Sequence, residues 1–373
     1  MTTPTHVPFM DLARTLDALH EDTMAAVSQV LRTHRYIKGP GVKAFEDAMA
    51  HACGVSHAVG VSSGTDALLV SLMALGVGPG DEVITTPMTF FATAGAIARL
   101  GATPVFVDID PQTYNLDPAL IAPAITPQTK AILPVHLYGH MAQMDALLDV
   151  ARAHDLPIVE DAAQAVGATS PEGPAGSVGA FGCLSFFPTK NLGGAGDGGM
   201  VLTQRDARAA RVRVLASHGA DPKYVHASIG GNFRLDAIQA AVLQVKLPHL
   251  ETWNDQRRAN AARYDALLDG LDVTLPVVRE GYTSTFHQYC VRVPNRDAVQ
   301  QRLKQLGVQT MVYYPVALHE QVCFQHLGYA PSDLPEASRA SREILALPIF
   351  PGLSAQEQAR VAQCLSQALD ERA

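Results

Sequence analysis

The sequence predicts an α/β fold, with a large domain built on a mostly parallel central sheet flanked by helices and a smaller C-terminal α/β domain after it. Three observations carry this. From His57 onward, short apolar runs alternate with stretches of helical period, the pattern of a sheet whose strands are joined by covering helices. The chain has 373 residues, 47% of them hydrophobic, enough for a large core and a second smaller one. A charged helical run over residues 251–268 then separates the long alternation from a shorter one, which sets the expected domains at residues 1–250 and 251–373.

Leu12, Leu16, Leu19, Met24, Val27, Val30 and Leu31 recur at helical spacing, so residues 10–33 read as an amphipathic helix packed on a larger body. Gly39-Pro40-Gly41 is a turn, and residues 42–53 a second helix. Residues 57–61 form the first strand and 66–75 the helix after it. Their joint, Ser62-Ser63-Gly64-Thr65, offers backbone N–H groups at the positive end of a helix, where Gly64 leaves room for a phosphate and Thr65 adds a hydroxyl. A plain helix cap uses the same letters.

Residues 82–86 are the next strand, and the segment from Pro87 to Thr93 opens a helix that runs to Leu100. Residues 103–109 and 130–136 are further strands, the second carrying His136 to a strand carboxyl end, where open sheets bind ligands. There His136 either lines a site or is a satisfied structural histidine. A helix over 144–154 leads to a strand over 157–160 with Asp161 at its end, and the Gly- and Pro-rich residues 170–182 read as a loop.

The strand-like run 184–187 then delivers Lys190, followed by a glycine cluster from Gly193 to Gly199. That cluster holds a formal Gly-x-Gly-x-x-Gly match from Gly194, but a dinucleotide fingerprint needs a helix after it, and residues 200–203 read as a strand. A nicotinamide oxidoreductase is set aside on that ground. A helix over 206–215 precedes the glycine-rich loop Gly230-Gly231-Asn232-Phe233-Arg234. Beyond 251–268, strands over 273–277, 288–293 and 308–313, a helix over 296–306 and a terminal helix make up the small domain.

Lys190, between an apolar run and a glycine cluster, sits at the mouth of the sheet, partly shielded from water. Desolvation lowers the pKa of such an ammonium, and an amine that can shed its proton can condense with an aldehyde. With Asp161 and Ser63-Gly64-Thr65-Asp66 it supplies a lysine for an imine link, a partner for a ring nitrogen and a phosphate cradle, three parts that pyridoxal 5'-phosphate requires.

These segments resemble, nearly end to end, the pyridoxal-phosphate aminotransferases acting on nucleotide-linked sugars, the DegT/DnrJ/StrS family. The resemblance implies an aspartate-aminotransferase-like (fold type I) large domain. It also implies transfer of an amino group, from glutamate, to a keto group of a nucleotide-diphosphate-linked sugar, with C3 favoured over C4. On this reading Lys190 carries the coenzyme and shuttles a proton, Asp161 keeps the ring nitrogen protonated, and Gln164 reaches the ring hydroxyl. Gly64, Thr65 and Ser185 hold the phosphate and Phe90 stacks on the ring. Asn232 reaches the phosphate in a neighbouring subunit, so the resemblance implies a homodimer with shared active sites. Arg234 either pairs with a substrate carboxylate or braces the interface.

Tyr313-Tyr314-Pro315 and Leu318-His319 resemble the segment that faces the sugar nucleotide, with Tyr313 where the family usually has histidine. Many members also carry a bulky residue where this chain has Ala195, which implies a more open substrate wall. A sugar dehydratase of the same family would carry histidine in place of Lys190. A coenzyme-binding regulator without turnover would be expected to show an added basic DNA-binding segment, and none is expected here.

The net charge of -8 argues against bulk-charge binding of nucleic acid or acidic membrane. Neither a signal segment nor a membrane span is evident, so a cytoplasmic protein is expected. Five scattered cysteines without a Cys-x-x-Cys pair, and histidines without metal spacing, indicate neither a disulfide framework nor a metal site.

Overall fold

The computed structural model of the protein describes residues 6–371. The central sheet runs through β1 (His57–Val61), β2 (Glu82–Thr85), β3 (Thr103–Phe106), β4 (Thr129–Leu133), β5 (Val159–Asp161), β6 (Phe181–Ser185) and β7 (Gly199–Thr203). Strands β1-β7-β6-β5 form one ladder and β3-β2-β4 another, and bridges from Ile132 to Ile158 and from Val135 to Asp161 join them. All pairings are parallel except the two made by β7.

Both faces of this sheet are covered, as a mostly parallel sheet requires. Alternate residues separate cleanly. Ala58, Met200 and Leu202 join the core under the helices Pro40–Ala52, Met144–Ala153 and Ala237–Lys246. Val59 and Val201 join the core under the helices Gly64–Ala74, Ala92–Arg99 and Asp206–Leu215. A further core gathers Ala261 and Tyr264 of the helix Leu250–Leu268 with the antiparallel pair β8 (Tyr289–Arg292) and β9 (Ile344–Leu347), the terminal helix Ala355–Asp370, and Val7 from the other end of the chain.

The helix expected over residues 10–33 is broken into a turn at Ala13–Leu16, a 3-10 turn at Asp17–Leu19 and the helix His20–Thr33. Its first part is held elsewhere, because Arg14 forks onto Glu357 at 2.7 and 2.8 Å and Val7 bridges Val308. The runs 273–277 and 308–313 do not form strands. Among the described residues they bridge the small sheet at Thr274 with Arg292 and Met311 with Ala346, one residue each. The loop expected to last through Gly182 ends earlier, since β6 begins at Phe181. Gly182 reads as a loop residue but is demanded by packing, for a Cβ there would lie 2.0 Å from the Gly176 carbonyl oxygen.

Parallel strands put their carboxyl ends on one edge. β1 leads into Ser62–Thr65, β2 into the segment with Thr89 and Phe90, β5 ends at Asp161 and β6 at Ser185, so four separate stretches of sequence converge there.

Candidate active site

At that edge lies a cleft of about 530 Å³ lined by Gly64, Thr65, Phe90, Asp161, Gln164, Ser185, Lys190, Tyr313 and Tyr314. Lys190 is half-buried on the turn after β6, its backbone N–H held by Phe187 O at 2.8 Å. Burial pushes its ammonium down to about 8, against the opposing pull of Asp161. Among the described residues, no hydrogen bond or ion pair occupies its Nζ.

Asp161 is 5% exposed. Its Oδ2 accepts from Thr93 Oγ1 at 2.8 Å and its Oδ1 from the Ala163 amide at 3.2 Å. Burial raises its carboxyl, while Thr93, the Ala163 amide and the charge of Lys190 work the other way. Thr89 Oγ1 lies 2.8 Å from Thr93 Oγ1 and extends the chain of hydroxyls. The carboxylate is thus fixed in orientation with one edge committed to the protein.

Ser63 is the N-cap of the helix Gly64–Ala74 and spends its hydroxyl on the Asp66 amide at 3.0 Å. The amides of Gly64 and Thr65 have no acceptor among the described residues, as expected for a helix's first turn. Two glycines keep this cradle close to the lysine loop. A Cβ on Gly64 would lie 2.7 Å from Ser185 Cβ, and one on Gly199 would lie 2.3 Å from Ser63 O. Gln164 accepts from the Tyr138 amide at 2.7 Å and donates to Tyr314 OH at 3.1 Å, which fixes one wall. Phe90 is 57% exposed at the mouth, 6.1 Å from the Tyr314 ring, whereas Phe91 packs on Phe324.

Five residues named from the sequence lie outside this cleft. His136 is fully buried, its Nε2 at 2.9 Å from Glu160 and its Nδ1 accepting from the Ala142 amide at 3.1 Å, so it is a satisfied structural histidine. His319 is likewise buried, 3.2 Å from Ser338 Oγ, behind the wall rather than in it. Asn232 is exposed on the loop bridged to Ser217, and Arg234 lines a separate recess with Lys38, Glu46 and Arg213. Ala195 is exposed, its amide bound to Gln239 at 2.8 Å, and it does not line the cleft. Sequence reading missed Thr89, Thr93, His287 and Gln288, the last two also in the wall. Only the i, i+4 spacing of Thr89 and Thr93 at a helix start hinted at the first pair.

An unpaired amine of lowered basicity, a buried oriented carboxylate, an open amide cradle and an exposed aromatic ring fit pyridoxal phosphate, and together with the sheet they define a fold type I enzyme using that coenzyme. The model of the DegT/DnrJ/EryC1/StrS aminotransferase family matches residues 17–366, and the chain belongs to that family. It is 49% identical to a Geobacillus stearothermophilus protein named pleiotropic regulatory protein, over 97% of this chain and 98% of that one. It is 43% identical to the UDP-N-acetyl-3-dehydro-alpha-D-glucosamine 3-aminotransferase of Acidithiobacillus ferrooxidans, over 99% and 100%. The crystal structure of S. venezuelae DesV in complex with a ketimine intermediate superposes with a TM-score of 0.95 at 43% identity, covering 98% of each chain. Among the described residues no helix is long and apolar enough to cross a membrane.

Proposed function

We propose that this chain moves an amino group from glutamate to the C3 keto carbon of a sugar linked to a nucleoside diphosphate, for amino-sugar biosynthesis, as a cytoplasmic homodimer. Each protomer divides at residues 250 and 251 into a coenzyme-binding domain and a small domain. The observation that carries the reading is the amine of Lys190, unpaired, depressed to about 8 and facing Asp161 in the crevice of a type I sheet. The name of the Acidithiobacillus relative supports a nucleotide sugar and amination at C3. Glutamate rests on the family resemblance.

Lys190, Asp161, Gln164, Phe90, Gly64, Thr65 and Ser185 would hold the coenzyme, with Asn232 contributed by a second copy. When bound, pyridoxal phosphate supplies an electron sink for the carbanion of the amino-bearing carbon. Lys190, able to exist as a free amine near neutral pH, takes and returns a proton at its Nζ. Asp161, held in orientation by Thr93 and the Ala163 amide, would keep the coenzyme's ring nitrogen protonated. Tyr313 and Tyr314 form the substrate-facing wall. His136 and His319 have no part in substrate binding on this geometry, and Arg234 could reach substrate only across a dimer interface.

One observation favours a second reading. The Geobacillus relative's name describes a regulator, which suits a coenzyme-binding protein without turnover. Purified protein, glutamate and a panel of UDP-, dTDP- and GDP-linked 3-keto and 4-keto sugars distinguish the two by mass spectrometry of the aminated product. Product from a 3-keto sugar supports the proposal. Coenzyme fixed on Lys190 by borohydride but no turnover of any keto sugar would favour the regulator.

A further inference from the structure

We propose that Gln288 is a specificity-determining residue of this cleft, its side-chain oxygen accepting a hydrogen bond from an O–H or N–H group on the sugar ring. The inference rests on the sugar aminotransferase reading given above. It deepens that reading by stating what chemistry the sugar must carry.

The other buried polar groups of the wall have partners. Asp161 is met by Thr93 and the Ala163 amide, Gln164 by the Tyr138 amide and Tyr314, and His287 Nδ1 lies 3.0 Å from Asn191 Oδ1. Gln288 differs. It is 7% exposed and its backbone N–H reaches the Tyr138 carbonyl at 3.3 Å, yet its Oε1 is buried with no hydrogen-bond partner. Among the described residues that line the cleft, this is the one buried side-chain oxygen or nitrogen left in that condition. The nitrogen side of the amide faces a neighbour. Burial raises the pKa of the Tyr313 hydroxyl and the Gln288 amide pulls it back, which is the effect of a donor beside the phenol oxygen.

The chemistry of the reactants decides what meets this oxygen. Pyridoxal phosphate presents acceptors, its phosphate and its ring oxygen, apart from a ring N–H that Asp161 takes on the reading above. Glutamate brings two carboxylates, which only accept, and an amine that the reaction consumes. The diphosphate bridge only accepts as well. Donors remain on the sugar, in its hydroxyls and any amide N–H, and the sugar is the part of the substrate that enters beside Lys190, in the cleft whose wall Gln288 forms. The last torsion of a glutamine side chain is broad, so the amide swings its oxygen towards such a group at little cost. A sugar without the donor leaves the oxygen unmet, and a site built to pair a substrate hydroxyl rejects the analogue that lacks it.

The test uses the holoenzyme and pairs of 3-keto sugars on one nucleotide, alike but for one ring donor: 4-hydroxy against 4-deoxy, and 2-hydroxy or 2-acetamido against 2-deoxy. Wild type should favour a donor-bearing member by about tenfold to a hundredfold in kcat/KM, and the pair that shows it names the ring position. Gln288→Met keeps the length of the side chain and removes the acceptor, so that preference should shrink to about twofold or less. Gln288→Glu keeps an oxygen in place and should retain the preference. Each variant is judged by the ratio between two substrates, which a general loss of activity or of folded protein does not move. Equal kcat/KM within every pair for wild type, as when water or a nucleoside hydroxyl meets the oxygen, overturns the inference alone. So does a wild-type ratio in Gln288→Met. No turnover of any keto sugar overturns the functional reading, and this inference with it.

Discussion

Thr93 donates its hydroxyl hydrogen to Asp161 Oδ2 across 2.8 Å, from the second residue of the helix Ala92–Arg99 to the last residue of β5. Burial drives the Asp161 carboxyl up, and this bond is the largest of the forces opposing that. Thr93→Val keeps the shape and removes the donor. Because the lost bond had lowered the carboxyl pKa, the acid limb of coenzyme binding should move to higher pH. Coenzyme affinity at neutral pH should drop about tenfold to a hundredfold, read by absorbance titration, and Thr93→Ser should recover most of it. A valine variant with unchanged affinity and pH profile would make the threonine a bystander.

Lys190 is maintained at a cost to the fold. Its ammonium is lowered from 10.5 to about 8, so the unfolded chain binds the proton more tightly than the folded one. The penalty is therefore fully present below about pH 8 and fades as pH rises towards 10.5. Lys190→Met should stabilise the coenzyme-free protein at pH 7 by at most about 3 kcal/mol. The gain should shrink steadily between pH 8 and pH 10. Urea unfolding of both proteins across that range tests this, and a gain that grows with pH would reverse the assignment of burial as the cause.

What the sequence made legible is what local context encodes. Lys190 stands out because an apolar run and a glycine cluster flank it, and Asp161 because it ends an apolar strand. Gly64 and Thr65 stand out because they fall between a strand and a helix. Each of these is decided by neighbours a few residues away. His136 and His319 misled because a strand end and a family-like segment bring a residue near a crevice without saying which way its ring turns, and both rings turn into buried partners. His287 was invisible for the opposite reason, as its ring is oriented by Asn191, 96 positions away. The strands expected over 273–277 and 308–313 are reduced to one bridge each with the small sheet, at Thr274 and Met311, although their apolar residues still pack on its core.

Asn232 supplies the sharpest test of the shared site. It is exposed on a loop outside its own protomer's cleft, and the nearby Tyr224, Val225 and Ile229 are 79%, 56% and 91% exposed, a large apolar surface for a lone protomer. If Asn232 completes the cradle of a second copy, Lys190→Ala and Asn232→Ala fail for different reasons on different chains. In a mixed dimer one cleft combines both defects and is dead. The other has an intact lysine from one chain and an intact asparagine from its partner. Unfolding and refolding the two inactive variants together should therefore restore about a quarter of wild-type activity, since half the dimers are mixed and half their clefts are whole. Neither variant refolded alone should recover any. If Asn232 acts within its own chain, or only supports the loop, every cleft in the mixture lacks one of the two residues or its support, and activity stays at the level of the separate variants.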